Sequence, residues 1–151
     1  MSKKRPNTNT QTFFLGWLFQ TFGVDRVNTE TPIDVAPEDN PTSEPVPDGI
    51  VLNRPTWEID RDNPQPADLR LVVEFSDTSL RFDLGAKARL YARAGIPDYW
   101  VLDVNGPRLI VHRDPVDERY RSVAAYGEDE SVAPLAAPGS ELNVASVFRR
   151  S

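Results

Sequence analysis

The segment "DLRLVVEFSDTS", residues 68–79, decides the fold that we predict for this chain. Two kinds of side chain alternate along it, with Leu69, Leu71, Val73 and Phe75 on one face and Arg70, Val72, Glu74 and Ser76 on the other. A period of two predicts a β-strand with one fully apolar face and one half-apolar face. Such a strand belongs inside a sheet, so the carboxylate of Glu74 near its end requires a hydrogen-bond partner, a cation or a metal.

The segments on either side predict short strands around one long central helix. Helices are predicted over residues 10–22, ended by Gly23, and over residues 80–95, ended by Gly95. Strands are predicted over residues 50–53, 98–104, 108–113 and 119–127, the middle two joined by an Asn-Gly turn, and one or two weaker strands over residues 24–36. The fold class is therefore α/β, with a central mixed sheet flanked by helices.

Composition excludes several kinds of chemistry. The chain has 151 residues, of which 39% are hydrophobic and 26% charged, as expected for one globular domain. It contains no cysteine, which excludes disulfides and removes the usual ligands of zinc. One histidine, His112, argues against a Ser–His–Asp triad or a multi-histidine metal site. Any metal would be bound by oxygen, which indicates Mg²⁺, Mn²⁺ or Ca²⁺.

Charge is unevenly distributed along the chain. The net charge of −6 argues mildly against binding nucleic acid through bulk electrostatics. However, residues 34–48 hold five acidic residues and no basic one, whereas residues 81–93 hold four basic residues and one acidic residue. This pattern predicts a local basic surface beside an acidic pocket.

Three residues are candidates for chemistry, and each has a simpler structural explanation. Asp48 lies in "VPDGIVL", where Pro-Asp-Gly is also an ordinary turn before a strand. Glu74 could reach solvent or pair with Arg70 on the same strand face. Lys87 shares a predicted helix face with apolar neighbours, and its long stem could carry the ammonium group to water.

Four motifs together resemble a known family. They are "PDGIVL" (47–52), "LVVEFSDTS" (71–79), "DLGAKARLYARAGIPDYWVLD" (83–103) and "PGSELNVASVF" (138–148). In order and spacing they look like the Uma-type putative restriction endonucleases of the PD-(D/E)XK nuclease superfamily. The resemblance covers residues 47–148 and is most specific over residues 71–103. It implies a restriction-endonuclease-like fold.

The resemblance also implies a set of site residues. Asp48 matches the aspartate of the family's "PD" half, and Glu74 matches the acid on the following strand. The common superfamily pattern has a lysine two residues after that acid, where this chain has Ser76. In Uma-type sequences the lysine lies instead on the next helix, in a "D…K…Y" arrangement that is reproduced here by Asp83, Lys87 and Tyr91.

Phosphodiester hydrolysis gives each of these residues an expected role. Asp48, Glu74 and the main-chain carbonyl of Phe75 would bind Mg²⁺ or Mn²⁺, which suit oxygen ligands. Lys87 would orient the attacking water or help to deprotonate it, and would stabilise the transition state. Ser76 would line the same pocket as Glu74 because it lies on the same strand face.

Other residues are expected to support this site. Asp83 would position Lys87, four residues further along the helix, although an acid in a first helical turn is favourable in itself. Contacts to DNA phosphates are expected from Arg81, Arg89 and Arg93, with a solvated helix face as the simpler explanation. Tyr99 and Trp100 are predicted core residues, and His112 an ordinary strand histidine.

The leading functional hypothesis is a divalent-metal-dependent DNA endonuclease. The alternative is a catalytically degenerate domain that keeps the nuclease fold and binds nucleic acid or protein. Residues 1–9 are predicted to be a disordered tail, and residues 10–151 a single domain that is shortened at its N-terminal side relative to the family. No membrane span is expected, because the apolar runs are far too short. A cytoplasmic location is expected, and the cutting geometry of related folds implies a homodimer.

Overall fold

One six-stranded mixed sheet organises the protein. The computed structural model describes residues 5–148, with side chains from residue 8 onward. The strands are β1 (Val27–Thr29), β2 (Gly49–Leu52), β3 (Leu69–Ser76), β4 (Asp98–Asp103), β5 (Arg108–Val116) and β6 (Arg119–Tyr126), and they lie in this order across the sheet. Strands β3 and β4 are parallel, and all other neighbours are antiparallel. The predicted fold class is confirmed.

Helices cover both faces of this sheet. They are α1 (Arg5–Phe22), α2 (Leu80–Leu84) and α3 (Ala86–Arg93), with 3₁₀ turns at Val24–Arg26, Thr56–Glu58, Pro66–Asp68 and Val144–Val147. A two-stranded ribbon of β7 (Ser131–Val132) and β8 (Leu142–Asn143) precedes the last turn. Among the described residues, no helix is long and apolar enough to cross a membrane.

The sheet separates two hydrophobic cores. On one face Phe14 of α1 packs against Trp100, with ring centroids 6.1 Å apart. On the other face Tyr91 of α3 packs edge-on against Tyr99 at 4.8 Å. Strand β3 is buried on both faces apart from exposed Arg70, as befits a central strand with a parallel neighbour. Each large side chain that is fully buried contributes roughly 1.5–3 kcal/mol to folding.

The helix predicted over residues 80–95 is divided in the structure. Gly85 separates α2 from α3 with φ −108° and ψ −96°, outside the helical region. A Cβ atom at this position would lie 2.9 Å from the carbonyl oxygen of Arg81, so only glycine fits without a shift. The prediction of one continuous helix is therefore wrong, because an isolated glycine inside a helical pattern does not reveal whether the backbone turns there.

Residues 24–36 contain one strand, β1, within the one or two predicted, and the rest of that segment is a turn and loop. Two other local predictions need correction. The β4–β5 connection spans four residues, because Asp103 pairs with Arg108 and its side chain caps the backbone N–H of Gly106 at 3.1 Å. Residues 5–9 lie in α1 and not in a tail, while residues 1–4 lie outside the described part of the chain.

Candidate active site

Asp48 is held against the end of β3. It directly precedes β2, whose Gly49 pairs with Val73. The Oδ2 atom of Asp48 accepts a hydrogen bond of 2.8 Å from the backbone N–H of Phe75. Because Phe75 follows Glu74, this bond places the Asp48 carboxylate next to the Glu74 position. The Pro-Asp-Gly segment therefore does more than turn the chain into β2.

Glu74 has partners from α3 and not from its own strand. The residue is only 4% exposed. Its Oε2 atom lies 3.0 Å from Lys87 Nζ and accepts a 3.0 Å hydrogen bond from the hydroxyl of Tyr91. Arg70, the partner considered from the strand pattern, is exposed near the other end of β3. The family spacing brings Lys87 and Tyr91, on successive turns of α3, onto one carboxylate oxygen.

A second acidic group, Asp83, also contacts Lys87. Asp83 is buried, and its Oδ1 lies 4.0 Å from Lys87 Nζ. Its Oδ2 accepts hydrogen bonds from Ser76, across the space between β3 and α2, and from Ser79 at 2.7 Å. Asp83 is thus an interior group in contact with the lysine, and Ser76 joins the network through it.

The ionisation of Glu74 is strongly perturbed. The pKa of Glu74 is raised from an ordinary 4.5 to about 7, chiefly by burial and also by the negative charges of Asp48 and Asp83, whereas Lys87 opposes the shift. Burial and the neighbouring Glu74 also raise the pKa of Tyr91, so its hydroxyl keeps its proton and acts as a donor. Burial therefore favours the neutral acid at this position, while Lys87 favours the carboxylate.

These residues fit an oxygen-bound dication. Asp48 and Glu74 are carboxylates close enough for one to disfavour ionisation of the other, and a divalent cation would relieve that repulsion. Phe75 directly follows Glu74 and donates its backbone N–H to Asp48, and its carbonyl could add a third hard ligand. Within residues 5–148 there is no cluster of three or more His, Cys, Asp or Glu side chains suited to a metal. Water would have to complete the coordination.

The three arginines considered for DNA contacts have different surroundings. Arg81 and Arg89 are exposed on α2 and α3, and neither forms an ion pair with another described residue. Arg93 instead donates to Asp39 at 2.8 Å, and this hydrogen bond raises its pKa. The ion pair neutralises the charge that Arg93 would need for a phosphate contact.

The residues predicted to be structural are buried. Tyr99 and Trp100 are fully buried in the two cores. His112 is 3% exposed, its Nδ1 lies 3.1 Å from the carbonyl oxygen of Tyr99, and burial lowers its pKa. It is therefore a neutral interior side chain.

Two contributors to the site were missed from the sequence. Ser79 donates to Asp83, and the hydroxyl of Tyr99 donates to the main-chain carbonyl of Asp83 at 2.9 Å. The first had a weak signal, because Ser79 stands four residues before Asp83 at the start of a predicted helix. The second had none, since a strand residue gives no indication of which helix its hydroxyl meets.

The fold and the site together define a class of protein. The protein has a mixed sheet, two carboxylates at the end of a central strand and a lysine on the following helix. It is an α/β protein of the restriction-endonuclease-like fold. The chain belongs to the Uma2 family, described as putative restriction endonuclease, whose model matches residues 1–145.

The structural comparison agrees with this assignment. The fold is similar to the crystal structure of a putative nuclease belonging to DUF820 from Anabaena variabilis ATCC 29413, with a TM-score of 0.73 and 14% sequence identity over 98% of this chain and 83% of the other. At that identity the likeness establishes the fold alone. No curated protein matches the chain.

The raised pKa of Glu74 predicts a pH-dependent stability of the metal-free protein. Between about pH 4.5 and 7 the unfolded chain has released this proton while the folded protein retains it. Stability therefore falls as pH rises through that window, by at most about 3 kcal/mol. Urea unfolding in EDTA at pH 5 and pH 8 measures the difference. Glu74→Gln should remove this part of the pH dependence, and the exposed Glu58→Gln should keep it; equal pH profiles for wild type and Glu74→Gln would contradict the assignment.

Proposed function

We propose that this protein is a divalent-metal-dependent endonuclease that hydrolyses phosphodiester bonds in DNA. Membership of the family supports a nuclease, that is, a hydrolase acting on nucleic acids. The observation that carries the finer proposal is the contact of 3.0 Å between Lys87 Nζ and Glu74, at the strand end where Asp48 is also held. A pair of acids could hold a divalent metal, and an adjacent lysine could stabilise charge that develops on the phosphate.

Asp48 and Glu74 are the proposed metal ligands, together with the carbonyl of Phe75. Both contacts of Glu74 involve Oε2, so Oε1 is the oxygen available for Mg²⁺ or Mn²⁺. When bound, the metal would lower the pKa of a coordinated water and neutralise charge on the phosphate. Tyr91 holds the Glu74 carboxylate in place, because its hydroxyl keeps its proton and donates to Oε2.

Lys87 is the proposed third catalytic residue. Its side chain is 18% exposed, so the ammonium group lies at the edge of the interior, where a substrate phosphate can reach it. Asp83 contacts Lys87 at 4.0 Å and is itself held by Ser76 and Ser79. A preorganised cation of this kind stabilises the charge that develops on the phosphate oxygens and orients the attacking water.

A second candidate function is a nuclease-fold domain that binds nucleic acid or protein without cleaving. Two observations favour it. The described residues contain no group of three or more His, Cys, Asp or Glu side chains that could hold a metal ion. Ser76 occupies the position of the common superfamily lysine and is used as a hydrogen-bond donor to Asp83. On this alternative, the protein would still bind a metal, nucleic acid or a protein partner and would not hydrolyse DNA.

Nicking of supercoiled plasmid separates the two candidates. We expect wild type to nick DNA with Mg²⁺ or Mn²⁺ and not in EDTA, and Lys87→Ala to lose roughly 10²–10³-fold in rate. Arg121→Ala, which removes an exposed cation on β6, is the control and should cut at the wild-type rate. If wild type binds metal but does not nick DNA, and Asp48→Asn removes the metal binding, the result would favour the binding domain. Equal rates for wild type and Lys87→Ala would remove the lysine from the mechanism.

A further inference from the structure

A cavity lies on the same face of the sheet as α3. It has a volume of about 410 Å³ and opens between the α2–α3 junction and the outer strands β5 and β6. Its walls are mainly apolar, formed by Leu84, Ala88, Ile110, Val123 and Ala125. Val123, on the edge strand β6, is 58% exposed. The cavity thus presents apolar surface to solvent.

Cationic side chains surround this apolar surface. Arg89 comes from α3, Arg108 from β5 and Arg119 from β6. Arg108 pairs with Asp103 at 2.9 Å, whereas Arg89 and Arg119 form no ion pair within the described part of the chain. The acid in the cavity wall, Glu118, lies 3.9 Å from Arg93. In a chain of net charge −6, two uncompensated arginines around one cavity indicate an anionic ligand.

The cavity adjoins the candidate active site through shared elements. Leu84 and Ala88 line the cavity, and their sequence neighbours Asp83 and Lys87 belong to the site. A layer of packed rings lies between the cavity and the site. It is formed by Tyr91, Tyr99, His112 and Tyr120, and the centroids of successive rings are 4.8 to 5.5 Å apart. Tyr91 contacts Glu74 at one end, and His112 and Tyr120 line the cavity at the other. The cavity and the candidate site therefore share α2, α3 and this layer of rings.

We propose that this cavity binds one unpaired nucleotide of the DNA strand that is cleaved. The inference rests on the proposed nuclease function and specifies its substrate: DNA with an extrahelical or single-stranded nucleotide near the scissile phosphate. The base packs on the apolar wall, and Arg89 and Arg119 contact the flanking phosphates. Arginine is suited to this role because its guanidinium group binds phosphate oxygens in a bidentate manner.

Size and chemistry favour a nucleotide over other anions. A simple anion such as phosphate needs cations but no apolar wall, and a paired duplex presents phosphates without a free base face. A cavity of about 410 Å³ is in the range that encloses a small organic ligand. Bases stack and pack on side chains without sequence preference, because every base has an apolar face.

Fluorescence anisotropy in EDTA, where no cleavage occurs, tests the proposal with three labelled DNAs. They are an intact duplex, the same duplex with a one-nucleotide bulge, and one in which the bulged nucleotide is abasic. We expect wild type to bind the bulged duplex roughly tenfold more tightly than the other two, because one base contact is worth this much. The abasic bulge keeps the phosphate and the bend and lacks only the base.

Four variants connect this preference to the cavity. Arg89→Ala and Arg119→Ala should each weaken binding of the bulged duplex roughly fivefold and reduce the slope of log affinity against log salt by about 0.9. Ala125→Glu places a carboxylate in the cavity and should remove the preference for the bulge. Ser122→Glu adds the same charge to β6 at an exposed residue that does not line the cavity, and it should keep the preference. Circular dichroism melting checks that all four are folded.

Specific results would overturn the proposal. Equal affinity of wild type for the three DNAs would do so, as would a preference that survives in Ala125→Glu. Arg119→Ala could also weaken binding of the intact and the bulged duplex equally, while the bulged and abasic duplexes bind with the same affinity. That result would indicate a general phosphate contact and would also reject the nucleotide site. If the bulge preference is present without metal-dependent cleavage, the nuclease proposal fails and the binding site stands. If wild type cleaves DNA and the cavity variants keep the wild-type KM, the nuclease proposal stands and the nucleotide site fails.

Discussion

We expect Glu74→Gln to cleave DNA about a thousandfold more slowly than wild type in Mg²⁺. The substitution conserves size, and the amide oxygen can still accept the hydrogen bond that Tyr91 donates at 3.0 Å. It removes the negative charge that faces Lys87 and that would bind the metal. Single-turnover cleavage at saturating protein measures this loss, and calorimetric titration with Mg²⁺ should show weaker binding in parallel.

The matched control for this prediction is Glu58→Gln. Glu58 is an exposed residue of the 3₁₀ turn at Thr56–Glu58, so the change removes the same charge far from any buried network. It should cleave at the wild-type rate. Comparable rates for Glu74→Gln and Glu58→Gln would mean that the buried carboxylate has only a structural role, since Lys87 and Tyr91 would then form a simple interior ion-pair network.

The largest effect on stability is expected for Asp98→Ala. Asp98 is fully buried at the start of β4 and accepts hydrogen bonds from Trp100 Nε1 at 2.7 Å, Arg113 Nε at 3.0 Å and the backbone N–H of Leu135 at 3.0 Å. Removing the carboxylate leaves these donors, including the Arg113 cation, without their acceptor. Breaking a buried ion pair from one side costs about 3–5 kcal/mol, a large part of the stability of a domain of this size. Urea unfolding measures the loss.

An exposed ion pair of the same sheet provides the comparison. Arg121 lies 3.4 Å from Asp114, and both side chains are more than half exposed. Arg121→Ala should therefore change the free energy of unfolding by less than about 1 kcal/mol. A loss for Asp98→Ala no larger than that of Arg121→Ala would show that the buried carboxylate is replaceable by water.

Much of the fold could be predicted because the sheet is encoded locally. The alternation in β3 and the apolar run in β4 each predict a strand from a few adjacent residues, and both strands are present. Their parallel pairing is a finding of the structure. What could not be predicted depends on backbone geometry. Gly85 breaks the central helix because of a close approach to the carbonyl of Arg81, which no periodicity records. The start of α1 at Arg5 is also not predicted, because residues 5–9 are polar and carry no apolar periodicity.

The candidate site was predictable in its members and less so in its connections. Asp48, Glu74 and Lys87 were identified through the family motifs, and the structure brings them to one strand end. Their catalytic and metal-binding roles are still predictions. Ser79 and Tyr99 complete the surroundings of Asp83 through contacts between different elements. Such contacts follow from how α2 packs on the sheet and leave no pattern in the sequence.

The most direct test of the central claim is the anomalous difference density of a crystal grown with Mn²⁺. The claim is that Asp48 and Glu74 hold a divalent cation beside Lys87. It predicts one strong peak at about 2.2 Å from carboxylate oxygens of both residues and from the carbonyl of Phe75. The same crystal form of Glu74→Gln should show no peak there. A peak elsewhere, or none in the wild type with Glu74 still bound to Lys87, would contradict the account.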